Sequence, residues 1–319
     1  MAKQTEGIHH ITAFVKNAQK NVDFYAGVLG LRLVKKTINF DAPEVYHLYF
    51  GNEAGSPGTI ITFFPYEFGR KGRIGGGQVG ITTYVVPIGS LDFWKERLES
   101  FHVPYSMNTR FGENYLTFSD QDDLQLEIVE REEGEWSQWS FGGVPVDKAI
   151  KGFGGAVLYT TAPNKTMKVL EQVLGLQRVE QEGDFMRYKS TGTLGNIIDV
   201  NVAAMEWGIS GAGTVHHIAW RAKDDEDHAS WRTHVEQHGL QPTSIIDRQY
   251  FHAIYFREEG GILFEIATDP PGFAVDEQSD ALGEKLMLPE WFEVNRAEIE
   301  KGLSSLQVRV LEPDGTKSG

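Results

Sequence analysis

The sequence predicts an α+β fold of four βαβββ modules arranged as two open barrels. Three internal echoes carry that prediction. Val28-Leu29-Gly30-Leu31 recurs as Val173-Leu174-Gly175-Leu176, each after a helix-like stretch (residues 18–25 and 164–172). At nearly the same offset, Phe93-Trp94-Lys95-Glu96-Arg97-Leu98-Glu99 is matched by Ser230-Trp231-Arg232-Thr233-His234-Val235-Glu236. Finally, Gly7-Ile8-His9-His10-Ile11-Thr12 is matched by Thr214-Val215-His216-His217-Ile218-Ala219. Repeats on this scale mean that one supersecondary unit has been copied.

In chain order, each unit reads as a strand, a helix and about three further strands. Unit one covers residues 5–66, unit two 78–130, unit three 152–204 and unit four 213–268. Gly30 and Gly175 stand where a left-handed cap ends the helices of units one and three. In units two and four, Tyr115-Leu116-Thr117-Phe118 and Ala253-Ile254-Tyr255-Phe256 alternate like strands. Each passes a polar turn into a last strand, Leu124-Gln125-Leu126-Glu127-Ile128-Val129 or Ile262-Leu263-Phe264-Glu265-Ile266-Ala267. Beyond the modules, a tail over residues 269–319 carries one helix over 289–306, with Pro289 in its first turn. The Pro-rich stretch 269–273 reads either as a lid over a pocket or as loop filler.

Bulk properties narrow the function. With 319 residues, 40% hydrophobic and 12% aromatic, the chain can build more than one packed core. A net charge of −15 excludes nucleic acid and anionic membranes as expected partners. No apolar run is long enough to span a bilayer, and the first residues lack a signal-peptide core. Zero cysteines rule out disulfides, thiolate ligands and a cysteine nucleophile. A cytoplasmic protein is expected.

The chemistry concentrates in the His-His pairs and in Glu265. A carboxylate inside an apolar strand is costly to bury unless it is paired or binds a metal. Two histidines and a carboxylate are the donors of a facial non-haem Fe(II) site. A single His-His pair on a strand is more often structural, but its recurrence at matching repeat positions, with a Glu in the matching last strand, favours a metal. Strict alternation sends His9 and His10 to opposite faces, and likewise His216 and His217. It does not say which of each pair faces inward. The repeats place Ile81 and Gly155 opposite the second histidines, and Thr62, Glu127 and Asp199 opposite Glu265. Units two and three therefore keep acids without imidazoles, and no metal is expected there. His102, His228, His234 and His238 lie on helices or their ends and read as surface residues.

These motifs resemble the vicinal oxygen chelate superfamily of glyoxalases, bleomycin resistance proteins and extradiol dioxygenases. More narrowly they resemble its ring-cleaving hydroquinone-type dioxygenases. Tyr46-His47-Leu48-Tyr49-Phe50, Gly58-Thr59-Ile60-Ile61-Thr62-Phe63-Phe64-Pro65 and Arg110-Phe111-Gly112 carry that resemblance together with the His-His and Glu265 segments. It implies His10, His217 and Glu265 as metal ligands, Fe(II) as the metal with Mn(II) as alternative, and a homo-oligomer. Tyr255, ten residues before Glu265, takes the position of an active-site tyrosine. It is expected to donate a proton, with His216 and His9 as further catalytic candidates. Arg248, Thr12, His47 and Tyr49 are expected around a small aromatic substrate and O2. Metal–ligand bonds of about 2 Å then require modules one and four to share a barrel, leaving modules two and three to form a non-catalytic one. The rivals are a glyoxalase-like isomerase or lyase, which usually needs a fourth protein ligand where Thr62 stands, and a metal-free binder of aromatic compounds.

Overall fold

The computed structural model describes residues 3–313 and contains two eight-stranded sheets. One sheet takes its strands from modules one and four, the other from modules two and three. At the centre of the first sheet, strand Ile8–Val15 runs antiparallel to Thr214–Ala222. In the second, Gln78–Val86 does the same with Gly152–Tyr159. Within each module the first strand pairs in parallel with the last. This arrangement brings the first strand of module one beside module four, as a shared metal site requires.

The register verifies the repeat alignment. Thr12 pairs with Thr62, Thr83 with Glu127, Val157 with Asp199 and Ala219 with Glu265. Each partner lies two residues beyond His10, Ile81, Gly155 or His217, so the four sites are equivalent.

Helices cover the outer faces. In module four, the helix Asp225–Gln237 buries His228, Trp231 and Val235, which share one helical stripe by their spacing. The expectation that His228 is a surface residue is therefore wrong. It is 0% exposed, and its Nε2 donates to the Ile266 carbonyl at 2.8 Å. In module one the helix is α-helical only over Ala18–Val22 and continues as a π-turn over Asp23–Val28. Gly30 then takes φ +71, and a Cβ there would meet Val144 at 2.7 Å. Gly7, just before the first His-His pair, has φ +135 and no room for a side chain, because a Cβ would lie 2.5 Å from the Gly195 carbonyl oxygen.

The tail departs from expectation. Two short helices, Glu290–Glu293 and Arg296–Gly302, replace the single one, and Pro289 precedes the first rather than lying in its first turn. Val294 and Asn295, both weak helix formers, stand at the break, while Trp291 and Phe292 pack against Phe40 of module one. The 269–273 segment is not a lid. The last strand runs on to Pro271, and Phe273 is buried against Tyr49 and Tyr250, with ring centroids 5.1 Å from each. Among the described residues, no helix is long and apolar enough to cross a membrane.

Candidate metal centre

Among the described residues, one group of three potential metal ligands comes together: His10, His217 and Glu265. The imidazole Nε2 atoms of His10 and His217 are 3.2 Å apart, and Glu265 Oε2 lies 3.3 Å from the first and 2.8 Å from the second. All three residues are buried, Glu265 at 0% exposure. Neither Glu265 oxygen has a partner in hydrogen-bond geometry, and the fully buried carboxylate faces the two imidazole nitrogens at ion-pair distance. Ligands about 2.1 Å from a metal and mutually cis stand about 3 Å apart. The three spacings suit such a facial set.

The backbone explains how two neighbouring histidines on one strand cooperate. Ile8 pairs with Trp220 and His10 with Ala219, which leaves His9 as an extra residue. Thr12 pairs with His217 and Ala13 with Val215, which leaves His216 as an extra residue on the facing strand. Both first histidines thus sit on β-bulges, which break alternation. The expectation of opposite faces fails for this reason. Instead His9 Nδ1 lies 2.9 Å from His10 Nδ1, and His216 Nδ1 lies 2.9 Å from His217 Nδ1. A metal on each Nε2 would leave the Nδ1–H of His10 to donate to His9 and that of His217 to His216. Such outer contacts fix ring orientation and tautomer.

Burial keeps these partners neutral. His9 is held well below the usual histidine range by burial and then by His10. His216 is pushed down to about 3, first by burial and then by His217. Burial also lowers His217 against the pull of Glu265. At Glu265 burial pushes upward, but the facing His10 and His217 rings win and hold the carboxyl well below its usual range.

His10 and His217 line a cavity of about 470 Å³. Phe14, Phe64, Phe251 and Leu263 supply apolar walls. Tyr255, Arg248, His47, Tyr49 and His216 reach it as anticipated. Thr12 and His9 do not. Thr12 is fully buried with its hydroxyl 2.8 Å from that of Thr62, and His9 lies behind His10 against Phe251. Arg248 Nε donates to the Tyr255 oxygen at 3.2 Å, and Arg248 Nη1 reaches Asp41 at 3.0 Å. Burial and then the Glu265 charge push the Tyr255 phenol above its usual range. On the module-one wall, the Tyr49 hydroxyl is 2.8 Å from His47 Nδ1, and His47 Nε2 is 2.8 Å from the Thr62 hydroxyl. His47 is held well below the ordinary range, mainly by burial. Sequence reasoning missed Asn39, Asp41 and Phe251, which also line the cavity. Asn39 and Asp41 flank a turn with no motif, and Phe251 looks like any core aromatic.

At the equivalent place in the other sheet, carboxylates meet guanidinium groups. Arg110 bonds Glu127 at 2.9 Å and Asp199 at 2.7 Å, while Arg187 bonds Asp199 at 2.8 Å and Glu113 at 2.6 Å. The bulges recur there too, with Gly80 and Gly154 at the positions of His9 and His216.

Residues 7–128 and 152–266 match the Glyoxalase/Bleomycin resistance protein/Dioxygenase superfamily. The chain belongs to this superfamily. Within it, the chain is 61% identical over 312 residues to "Putative ring-cleaving dioxygenase MhqO" of Bacillus subtilis (strain 168), covering 98% of this chain and 100% of that one. It is 36% identical over 299 residues to the chlorohydroquinone/hydroquinone 1,2-dioxygenase of Sphingobium indicum, covering 90% of this chain and 92% of that one. A crystal structure from Bacillus subtilis subsp. subtilis str. 168, 61% identical, superposes with a TM-score of 0.96 over 97% of this chain and 100% of that one. The superfamily's paired-module architecture is thus present in both sheets, and the convergent His-His-Glu set in only one of them.

Proposed function

We propose that the protein is an Fe(II)-dependent dioxygenase that opens the ring of hydroquinone-type substrates with O2. The observation that carries this reading is the convergence of His10, His217 and the fully buried Glu265 carboxylate, with both histidines lining an aromatic-walled cavity. The names of the Bacillus and Sphingobium relatives support the reaction class. His10, His217 and Glu265 would hold Fe(II) or its alternative Mn(II), which would supply the redox chemistry for the reaction of an ionised diphenol with O2.

The protein's own residues do the rest. His9 and His216 lock the tautomers of the ligands. The Phe14, Phe64 and Phe251 rings hold a flat aromatic molecule and exclude water. Tyr255 stays a phenol at neutral pH and so can donate a proton to a developing oxyanion, while Arg248 fixes its oxygen. Opposite, the neutral His47 accepts the Tyr49 hydroxyl at Nδ1 and so orients it, its Nε2–H anchored on Thr62. Polar groups stand on both module walls, which suits para hydroxyls better than two adjacent ones.

Thr62 argues against the isomerase reading. It stands at the equivalent of Glu265 and is engaged by His47 and Thr12, so no fourth acidic ligand is available. The test is O2 uptake by anaerobically Fe(II)-loaded protein. Uptake on 2-methylhydroquinone that exceeds uptake on catechol supports the proposal. A preference for catechol overturns the substrate class, and no uptake with either overturns the reaction.

A further inference from the structure

A second, smaller cavity of about 260 Å³ lies behind the substrate cavity, and the two share Phe14 and His216 as lining residues. The rings of these two residues stand 4.9 Å apart, so they form the partition between the chambers. The second chamber continues the same sheet face. Arg257 lies two residues beyond Tyr255 on the strand Phe251–Arg257, and alternation puts both on one side. Arg257 lines only the second chamber, with Gln78, Trp207 and Ser210 around it. Its Nη1 donates to the Gly261 carbonyl at 2.5 Å, and among the described residues no carboxylate pairs with it. Arg70 and Arg73 are likewise exposed and bond the Ser210 and Trp207 carbonyls beside the same chamber, so this corner gathers positive charge in a chain of net charge −15.

We propose that this chamber is an anion site that takes the carboxylate of the ring-opened product, with Arg257 as its binding residue. The proposal rests on the ring-cleavage reading. In that reaction the bond between the hydroxyl-bearing carbon and its neighbour breaks. One atom of O2 ends in a carboxyl group on the first carbon and the other in an aldehyde on the second. No further oxidant or reductant is consumed, and the new acid releases its proton to solvent. A neutral substrate therefore becomes an anion inside the cavity. The cation that lines the chamber on the far side of the partition is Arg257, whose planar fork matches a carboxylate. The Gln78 amide and the Ser210 hydroxyl are further donors, and the exposed Trp207 and Ser210 mark an outlet separate from the Arg248–Asp41 side. Arg257 is thus a product-binding residue, and entry and exit are separated by charge.

The test uses the Fe(II)-loaded full chain with cis,cis-muconate as a stable carboxylate probe. Arg257→Gln is expected to weaken muconate binding about tenfold and to weaken muconate inhibition of turnover in the same proportion, with KM for 2-methylhydroquinone unchanged. Ser210→Asp, an exposed change that leaves the Arg257–Gly261 contact in place, is expected to weaken muconate binding in the same direction. Unchanged muconate affinity in both variants overturns the proposal, as does a muconate loss matched by an equal rise in KM. If the wild-type protein consumes no O2 with any diphenol, the reaction assignment fails, while muconate binding still decides whether Arg257 serves an anion site.

Discussion

His10 and His217 are separated by 207 residues in the chain, yet their Nε2 atoms stand 3.2 Å apart. Only the antiparallel pairing of the first strands of modules one and four makes this possible, and Glu265 of the parallel neighbouring strand completes the set. Glu265→Gln removes the charge and one donor with little change in volume. The variant is expected to lose stoichiometric Fe(II) binding while keeping its fold, as read by metal analysis and circular dichroism.

His9 never faces the substrate cavity, but its Nδ1 contact orients His10. His9→Ala is expected to weaken Fe(II) binding about 10- to 100-fold, read by competition with a chelator. A variant with full affinity and reduced turnover would instead assign His9 a direct part in proton transfer.

Tyr255→Phe deletes a hydroxyl held by Arg248 and kept protonated by burial. The expected result is a fall in kcat of about 100-fold or more, with metal content unchanged. A change confined to KM would make Tyr255 a binding group only.

The pH dependence of stability has a specific source in Asp120. It is 5% exposed, accepts the Tyr25 hydroxyl at 3.1 Å, and burial raises its carboxyl to about 7. In the unfolded chain the group ionises near 4, so the folded protein holds the proton more tightly. The associated stability is present below about pH 4 and is lost as pH rises through about 7. Asp120→Asn, which cannot ionise, should flatten the stability profile across that window and stabilise the protein by more than about 1 kcal/mol at pH 8, measured by urea unfolding.

In the second sheet, Arg110 bonds two buried acids. Arg110→Met leaves the buried Glu127 charge without its cationic partner and should cost about 3–5 kcal/mol of stability, with one metal still bound per chain at the other site. A second metal bound in this variant would show that the guanidinium groups fill a latent metal site.

Much of this architecture is legible in the sequence because each module repeats its pattern of apolar strands, and modules two and four share a buried helix tryptophan. The alignment of Glu265 with Thr62, Glu127 and Asp199 could be read without coordinates, since equal spacing within a repeat becomes equal register in a sheet. What escaped depends on contacts between strands. The bulges at His9 and His216 are set by the pairing of two strands and cannot be seen in either alone. Asp41 belongs to the cavity only because a turn of module one folds over Arg248 of module four. His228 was legible in principle, since its spacing from Trp231 and Val235 marks the buried stripe of its helix.

The most direct test of the central claim is anaerobic Fe(II) titration of the wild-type chain beside His217→Ala, read by equilibrium dialysis and metal analysis. The three-residue centre predicts one tightly bound Fe(II) per wild-type chain and none in the variant. Retention of the metal by His217→Ala, or no tight binding by the wild type, would contradict it.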